Sequence, residues 1–419
     1  MAYNNSPTGC NVLGKGGEGV VYTGVLLESD KSPRADDSNP QMAQMTQMIA
    51  YKHLSVDNVT KEQSERVRSM ATVSNSCRNS VRVTRLAEKD DPVGGTRMVQ
   101  GIVMPLYRHG DIVNSIRTKS LKLDAYRIAD IVLGVSKFLS DLHNDHNVYH
   151  RDIKPANILL ACGCSAVGAG HKLKAQKIRD IDSIAQALKG VEVETQAGMC
   201  DCLRDVTKRV EARVCDFSLS RPFRCDGIPM HTSANLAGTL AYVATERIQH
   251  VMSTMSFSDD DTNESKRNIQ GTADNVPEIG VRHDRAAGAK DIYALGVVLW
   301  ELLYYARHGT YRTFFTALAE QHCPNGSTIC EIVKSHFDGN RPSLDVPPVL
   351  APKERQRSES SDESLCYVSM CVKPEETELN ERLVSLAEEM MGMNPMLRPT
   401  AAEVENLLSD LLESWLSDH

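Results

Sequence analysis

Residues 150–160 read His150-Arg151-Asp152-Ile153-Lys154-Pro155-Ala156-Asn157-Ile158-Leu159-Leu160. An acid, an ammonium and an amide stand within six residues, and an apolar run follows at once. Asp152 can accept a proton from a hydroxyl. Lys154, two residues on, can neutralise a phosphate, and Asn157 offers an amide oxygen to a divalent metal. Ile158 to Leu160 read as a short buried strand that pins this loop to a core. The competing reading is a solvated charged loop, and the residues on either side decide between them.

The run closely resembles the catalytic loop of eukaryotic protein kinases, and the lysine two residues after the aspartate resembles their serine/threonine branch. Upstream, Val12-Leu13-Gly14-Lys15-Gly16-Gly17-Glu18-Gly19-Val20-Val21-Tyr22 reads as strand, turn, strand, with Gly14, Gly16 and Gly19 in G-x-G-x-x-G-x-V spacing. Glycines let a backbone approach phosphate oxygens and present N–H groups to them. A dinucleotide-binding turn shares the spacing but opens a helix, whereas Val20-Val21-Tyr22 continues as a β-rich run. A kinase-type lid over ATP is favoured. Ile49-Ala50-Tyr51-Lys52 resembles the V-A-I-K strand. The resemblance gives Lys52 the α- and β-phosphates and Ala50 the adenine face, with Leu13, Val21 and Leu159 as further ATP contacts. The glutamate that would pair with Lys52 is Glu65 or Glu62, both on a segment, Val59 to Val73, compatible with a helix; Glu65 is preferred. Val81 to Leu86 and Met98 to Met104 read as two strands. Met104 then takes the gatekeeper place, with Pro105 and Tyr107 offering a carbonyl and an N–H to adenine from the hinge.

Downstream, Tyr126 to Asn144 has Ile128, Ile131, Val132, Val135, Leu139 and Leu142 near helical spacing, a core stripe. Asp152 to Asp216 spans 64 positions, roughly 45 more than the family template. Two Cys-x-Cys pairs, Cys162/Cys164 and Cys200/Cys202, with His171, lie in that stretch. A zinc clip is conceivable there, but the spacing departs from the usual C-x₂₋₄-C, and free cysteines are the preferred reading. Cys215-Asp216-Phe217-Ser218 resembles the D-F-G segment with serine for glycine. Asp216 and Asn157 are the implied Mg²⁺ ligands, and Phe217 is expected beneath the helix carrying Glu65. Thr232 and Ser233 are candidate activation-loop phosphorylation sites, with Arg151 as partner for the added charge. Gly238-Thr239-Leu240-Ala241-Tyr242-Val243-Ala244-Thr245-Glu246 resembles G-T-x-x-Y-x-A-P-E, with Thr245 in place of proline; Thr239 and Lys154 are both implied to contact Asp152. Asp291, opening the apolar run to Glu301, is expected as an N-cap-like anchor of the catalytic-loop backbone. Arg398, in Asn394-Pro395-Met396-Leu397-Arg398-Pro399-Thr400, is expected to pair with Glu246.

The resemblance implies an α+β, bilobal kinase domain over residues 8–416, with a small, mainly antiparallel β-lobe (8–104), a hinge (105–108) and a larger helical lobe (109–416). Insertions are expected at 28–48, 161–211, 251–288 and 352–377. The implied activity is Mg-ATP-dependent phosphorylation of serine or threonine hydroxyls on protein substrates, with further partners open to the insertions. The alternative is a scaffold of the same fold with weak or no phosphotransfer, suggested by Ser218, Thr245 and the unsettled glutamate. A net charge of −8 gives no global reason to expect nucleic acid. Twelve cysteines without a leading apolar segment suggest a reducing, intracellular setting, cytoplasmic or nuclear. The longest apolar stretch, Ile292 to Ala306, is broken by Glu301 and too short to span a bilayer.

Overall fold

A computed structural model of the chain describes residues 12–16, 19–27, 46–54, 60–90, 97–107, 109–162, 201–206, 208–222, 239–248, 279–323, 328–349 and 374–417. The chain divides into two compact units, a smaller one of Met1–Gly110 with Leu160–Asp201 and a larger one of Asp111–Leu159 with Cys202–His419. The smaller is mainly antiparallel sheet and the larger mainly helical, so the expected α+β division holds.

In the smaller unit, β1 (Val12–Gly16), β2 (Gly19–Leu27), β3 (Thr46–Leu54), β4 (Arg85–Asp90) and β5 (Arg97–Pro105) form one sheet in the order β1-β2-β3-β5-β4. Nine residues of β2 pair with nine of β3, from Gly19↔Leu54 to Leu27↔Thr46. Residues 46–48, expected at the end of an insertion, are therefore strand, because the long β2 supplies a ladder for them. A Cβ on Gly19 would overlap the His53 carbonyl, so the first position of β2 needs glycine for the strands to close. Between β3 and β4 runs α1 (Lys61–Ser76), started by a capping box in which Thr60 and Gln63 satisfy each other's backbone N–H groups. The strand expected at Val81–Leu86 begins instead at Arg85. Val81 is buried, and Asn75 of α1 takes both backbone groups of Val83, so this stretch is spent on turning from helix to sheet.

The larger unit contains α2 (Ile112–Arg117), α3 (Ala125–Asn144), β6 (Val148–Tyr149) and the start of β7 (Ile158–Cys162). There follow β8 (Val210–Val214), β9 (Arg221–Pro222), α4 (Ile279–His308), α5 (Phe314–His322), α6 (Ile329–Phe337), α7 (Pro374–Met390) and α8 (Ala401–Ser417). The apolar stripe of α3 is fully buried at Ile128, Ile131, Val132, Val135, Leu139 and Leu142, and the helix packs on α8 and β8. The central helix is longer than its sequence motif. It begins at Ile279, twelve residues before Asp291, so residues 279–288 of the expected 251–288 insertion are its first turns. Likewise, α7 takes in residues 374–377.

Residues from Cys202 on, within the expected 161–211 insertion, are built into the larger unit by a buried arginine. Arg127 on α3 is 3% exposed. Its Nη1 donates to the carbonyls of Leu203 (2.7 Å) and Lys122 (3.1 Å), and its Nη2 to those of Cys202 (3.2 Å), Asp205 (2.5 Å) and Lys208 (2.8 Å). Lys122 N–H donates back to the Leu203 carbonyl at 2.9 Å. The guanidinium thus satisfies four acceptors of a segment too short to satisfy them itself, and that of Lys122 besides, and delivers the chain into β8. Among the described residues, no helix is long and apolar enough to cross a membrane.

Candidate active site

The run at 150–160 is held from below by one carboxylate. Asp291 is 1% exposed and accepts the N–H groups of His150 and Arg151, each at 2.7 Å, and His143 Nε2 at 3.0 Å. Burial alone would raise its pKa, but the hydrogen bonds from His143 and the loop, with the charges nearby, hold the carboxyl below the usual range. Asp291 lies well inside α4, not at its start, so it anchors another segment's backbone rather than capping its own helix. With both amides fixed, Arg151 takes a left-handed backbone (φ +72°), which turns the chain so that Asp152 follows with its side chain buried. His150 is fully buried, edge-on to Phe138 and Phe217 at centroid distances of 5.8 and 5.5 Å. Burial pushes its pKa down, so the ring is a neutral packing element.

Asp152 is the hub. Its Oδ2 meets Lys154 Nζ at 2.7 Å and accepts from Asn157 Nδ2 at 2.9 Å. Its Oδ1 accepts the N–H and hydroxyl of Thr239 at 3.3 and 3.2 Å. Lys154 Nζ also donates to Thr239 Oγ1 at 2.8 Å, closing a triangle of carboxylate, ammonium and hydroxyl. Asn157 Nδ2 donates further to the Asp152 carbonyl at 2.8 Å. Both amide hydrogens thus face Asp152, which leaves the amide oxygen turned away from it. Asp216 has a left-handed backbone (φ +71°), and Cys215, just before it, donates its N–H to the Asn157 carbonyl at 3.0 Å. That bond ties the Asp216 segment to the 150–160 loop. Phe217, expected beneath α1, shows its ring contacts with Phe138 (5.6 Å) and His150, inside the larger unit. Ser218 is half-buried in the short turn Phe217–Leu219.

In the smaller unit, Lys52 sits in β3 opposite Val21 of β2 and Ile102 of β5, and Ala50 opposite Met104. Gly14, Gly16 and Gly19 lie on the paired arms of β1 and β2, with Gly14 opposite Val21 and Gly16 opposite Gly19. Leu13 is exposed and Val21 half-buried. Pro105 closes β5 opposite Ile49, and the Tyr107 carbonyl accepts from Gly110. Leu159 bridges to Asp111. The structure does not bring Glu65 to Lys52. Glu65 and Glu62 are both exposed, and Glu62 is occupied at the start of α1, where its backbone and Thr60 lower its pKa. The face of α1 turned to the sheet is Ser64, Ala71 and Ser74, with Arg68 paired to Glu88 of β4 at 3.0 Å. Ser64 accepts the Val99 N–H at 3.1 Å beside the irregularity between β4 and β5. Glu65, one residue on, is rotated about 100° from that face.

Glu246 and Arg398 form a two-point ion pair at 2.9 and 2.7 Å. The Arg398 guanidinium also donates to the carbonyls of Gly392 and Ala289 and lies 4.8 Å from the Tyr293 ring centre. Thr245, in the place of proline, is fully buried, with its hydroxyl 3.8 Å from Met393 Sδ. Thr232, Ser233, Cys164, Cys200 and His171 lie outside the described residues. Arg151 stands in a cationic group with Arg247 and Lys290. Burial first, then the neighbouring cations, push the pKa of both Arg247 and Lys290 down.

Sequence reasoning missed a carboxylate hub on α4. Glu301 is fully buried and accepts Tyr311 Oη (2.7 Å), Tyr242 Oη (3.0 Å) and the Phe314 N–H (2.9 Å). Burial pushes it up to about 7 against those three donors. The signal was present as a lone acid in an apolar run, read only as an interruption.

The family model for the protein kinase domain matches residues 41–260, just over half of the chain. The chain belongs to the protein kinase family. The match takes in the strand of Lys52, the whole catalytic loop, Asp216 and the Gly238-to-Glu246 segment. Comparison with curated proteins finds no match. This kinase is therefore an ATP-using phosphotransferase.

Proposed function

We propose that this kinase transfers the γ-phosphate of ATP to serine or threonine hydroxyls of protein substrates, with Mg²⁺ as its metal. The observation that carries the reading is the triangle of Asp152, Lys154 and Thr239, which ties the segment beginning at Thr239 to the 150–160 loop through a lysine and a threonine. In the resemblance those two residues mark the serine/threonine branch.

The donor set suits a hard divalent cation. Asp216 supplies a carboxylate and Asn157 an amide oxygen, both oxygen ligands of the kind Mg²⁺ takes. When bound, the metal would neutralise charge on the phosphates. The remaining work belongs to the chain. Asp152 would orient the acceptor hydroxyl and take its proton. The Thr239 contacts, the longest on that carboxylate, are the ones a substrate hydroxyl would displace. Lys154 has three donors and uses two on Asp152 and Thr239, leaving one for a phosphate oxygen. Lys52, on the central strand β3, would take the α- and β-phosphates, beneath the glycine arms of β1 and β2. Ala50, Met104, Pro105 and Tyr107, with Leu13, Val21 and Leu159, would receive the adenine. Catalysis of this kind is mainly positioning and charge stabilisation. The cations Arg151, Arg247 and Lys290 support Thr232 or Ser233 as an activating phosphate acceptor.

Purified protein is expected to phosphorylate a basic serine/threonine peptide with Mg-ATP. Asp152→Asn should lower kcat by about 10²–10⁴-fold, and Lys52→Met should abolish measurable turnover. Phosphoamino-acid analysis that finds phosphotyrosine would overturn the specificity. Tight Mg-ATP binding without incorporation into any hydroxyl would favour the scaffold alternative.

A further inference from the structure

Outside the catalytic hub, one pair of reactive side chains has no part in phosphotransfer. His109 Nε2 lies 3.2 Å from Cys162 Sγ, both in the smaller unit. The pair is built on backbone. Gly110, in a left-handed conformation, closes a turn by donating its N–H to the Tyr107 carbonyl, and its own carbonyl accepts the Leu160 N–H at 3.0 Å. That bond sets the end of β7 against the turn, so the residue before Gly110 and the residue two after Leu160 face each other. His109 is 4% exposed, whereas Cys162 is half-buried and belongs to no disulfide. An imidazole within hydrogen-bond reach of the thiol of a half-buried cysteine is an arrangement that can activate it.

We propose that Cys162 is a thiol-exchange site, with His109 as its general base and low-molecular-weight disulfides as its substrate class. His109 Nε2 takes the thiol proton, leaving a thiolate beside an imidazolium. The thiolate attacks one sulfur of the small disulfide, a new S–S bond forms to Cys162, and the original S–S bond breaks. The departing thiolate recovers the proton from His109, so the exchange needs no further oxidant or base. Burial lowers the pKa of His109, so the resting pair is thiol and neutral imidazole and the ion pair forms only as the thiolate attacks.

The test is site-resolved mass spectrometry of the full-length protein after timed exposure to iodoacetamide, with Cys323, also half-buried, as internal reference. An isolated thiol loses nearly a hundredfold in alkylation rate from pH 8 to pH 6, because its thiolate fraction falls about tenfold per unit below a pKa of about 8.5. Cys162 is expected to lose less than about threefold over that range, and to form a mixed disulfide when oxidised glutathione replaces iodoacetamide. His109→Gln should restore the steep dependence at Cys162 without changing the Cys323 rate or the melting temperature. Should that variant fail to fold, the wild-type profile decides alone. A Cys162 profile parallel to that of Cys323, or alkylation without mixed-disulfide formation, overturns the proposal.

Discussion

At the scale of single residues, two buried carboxylates on one helix behave in opposite ways: Asp291 receives two loop amides and His143, which outweigh burial, whereas the two tyrosine hydroxyls and one amide at Glu301 do not. Asp291 has its folded pKa depressed. Its contribution to stability is present above the ordinary carboxylate range and is lost as pH falls through the folded value. Glu301 is raised to about 7, while an unfolded glutamate titrates near 4.3. Between those values the folded state holds a proton that the unfolded state has released, so stability falls as pH rises across the window, by about 4 kcal/mol in all. Glu301→Gln keeps an acceptor for Tyr242 and Tyr311 and removes the titration. Urea midpoints of the variant should match wild type near pH 4.5 and exceed it near pH 8. A wild-type midpoint that does not decline relative to the variant would show that Glu301 ionises normally. The sequence announced Asp291 through its motif. It did not announce Glu301, since the partners Tyr242 and Tyr311 come from segments that only folding brings to α4.

Elements were legible where a periodic stripe or a cap defined them, and misread where tertiary contacts decided an edge. The stripe of α3 and the Thr60–Gln63 box of α1 are local patterns, and the helices form where those patterns stand. The strand expected at Val81 starts four residues later, because Asn75 captures Val83. Glu65 fits a helix but lies off the face that Ser64, Ala71 and Ser74 turn to the sheet; helical register was visible, but not which side the sheet would take. Residues 201–211 carry few of the marks of a core segment, yet Arg127 binds four of their carbonyls. Arg127→Met, which keeps much of the apolar stem, strands those buried acceptors and should cost about 3 kcal/mol in urea unfolding. Amide exchange should rise at Lys122 and through β8. Arg127→Lys, retaining the charge but not the fan of donors, is expected to fall between. If exchange at β8 stays at the wild-type rate in the methionine variant, the guanidinium is not what holds that segment.

Across the larger unit, Arg398 joins segments distant in the chain: Glu246 after the Gly238 motif, Ala289 in α4 and Gly392 after α7. The side chain is fully buried and faces Tyr293. Arg398→Ala removes every one of these bonds and leaves Glu246 without its cation, so unfolding should become easier by about 3–5 kcal/mol. The loss should appear in a single cooperative transition; a separate early transition confined to α8 would mean that the segments are not coupled through this residue. The sequence by itself determined the family, the α+β class and the order of the motifs, because Asp152, Lys154, Asn157, Asp216 and Lys52 stand in runs whose residue types and spacing are local properties of the chain. Tertiary structure alone decided the partners: which hydroxyls meet Glu301, which carbonyls meet Arg127, that Glu65 faces outward and that His109 meets Cys162. These depend on which faces are buried and on hydrogen bonds between residues far apart in sequence, and a buried polar group takes whatever partner the packing supplies.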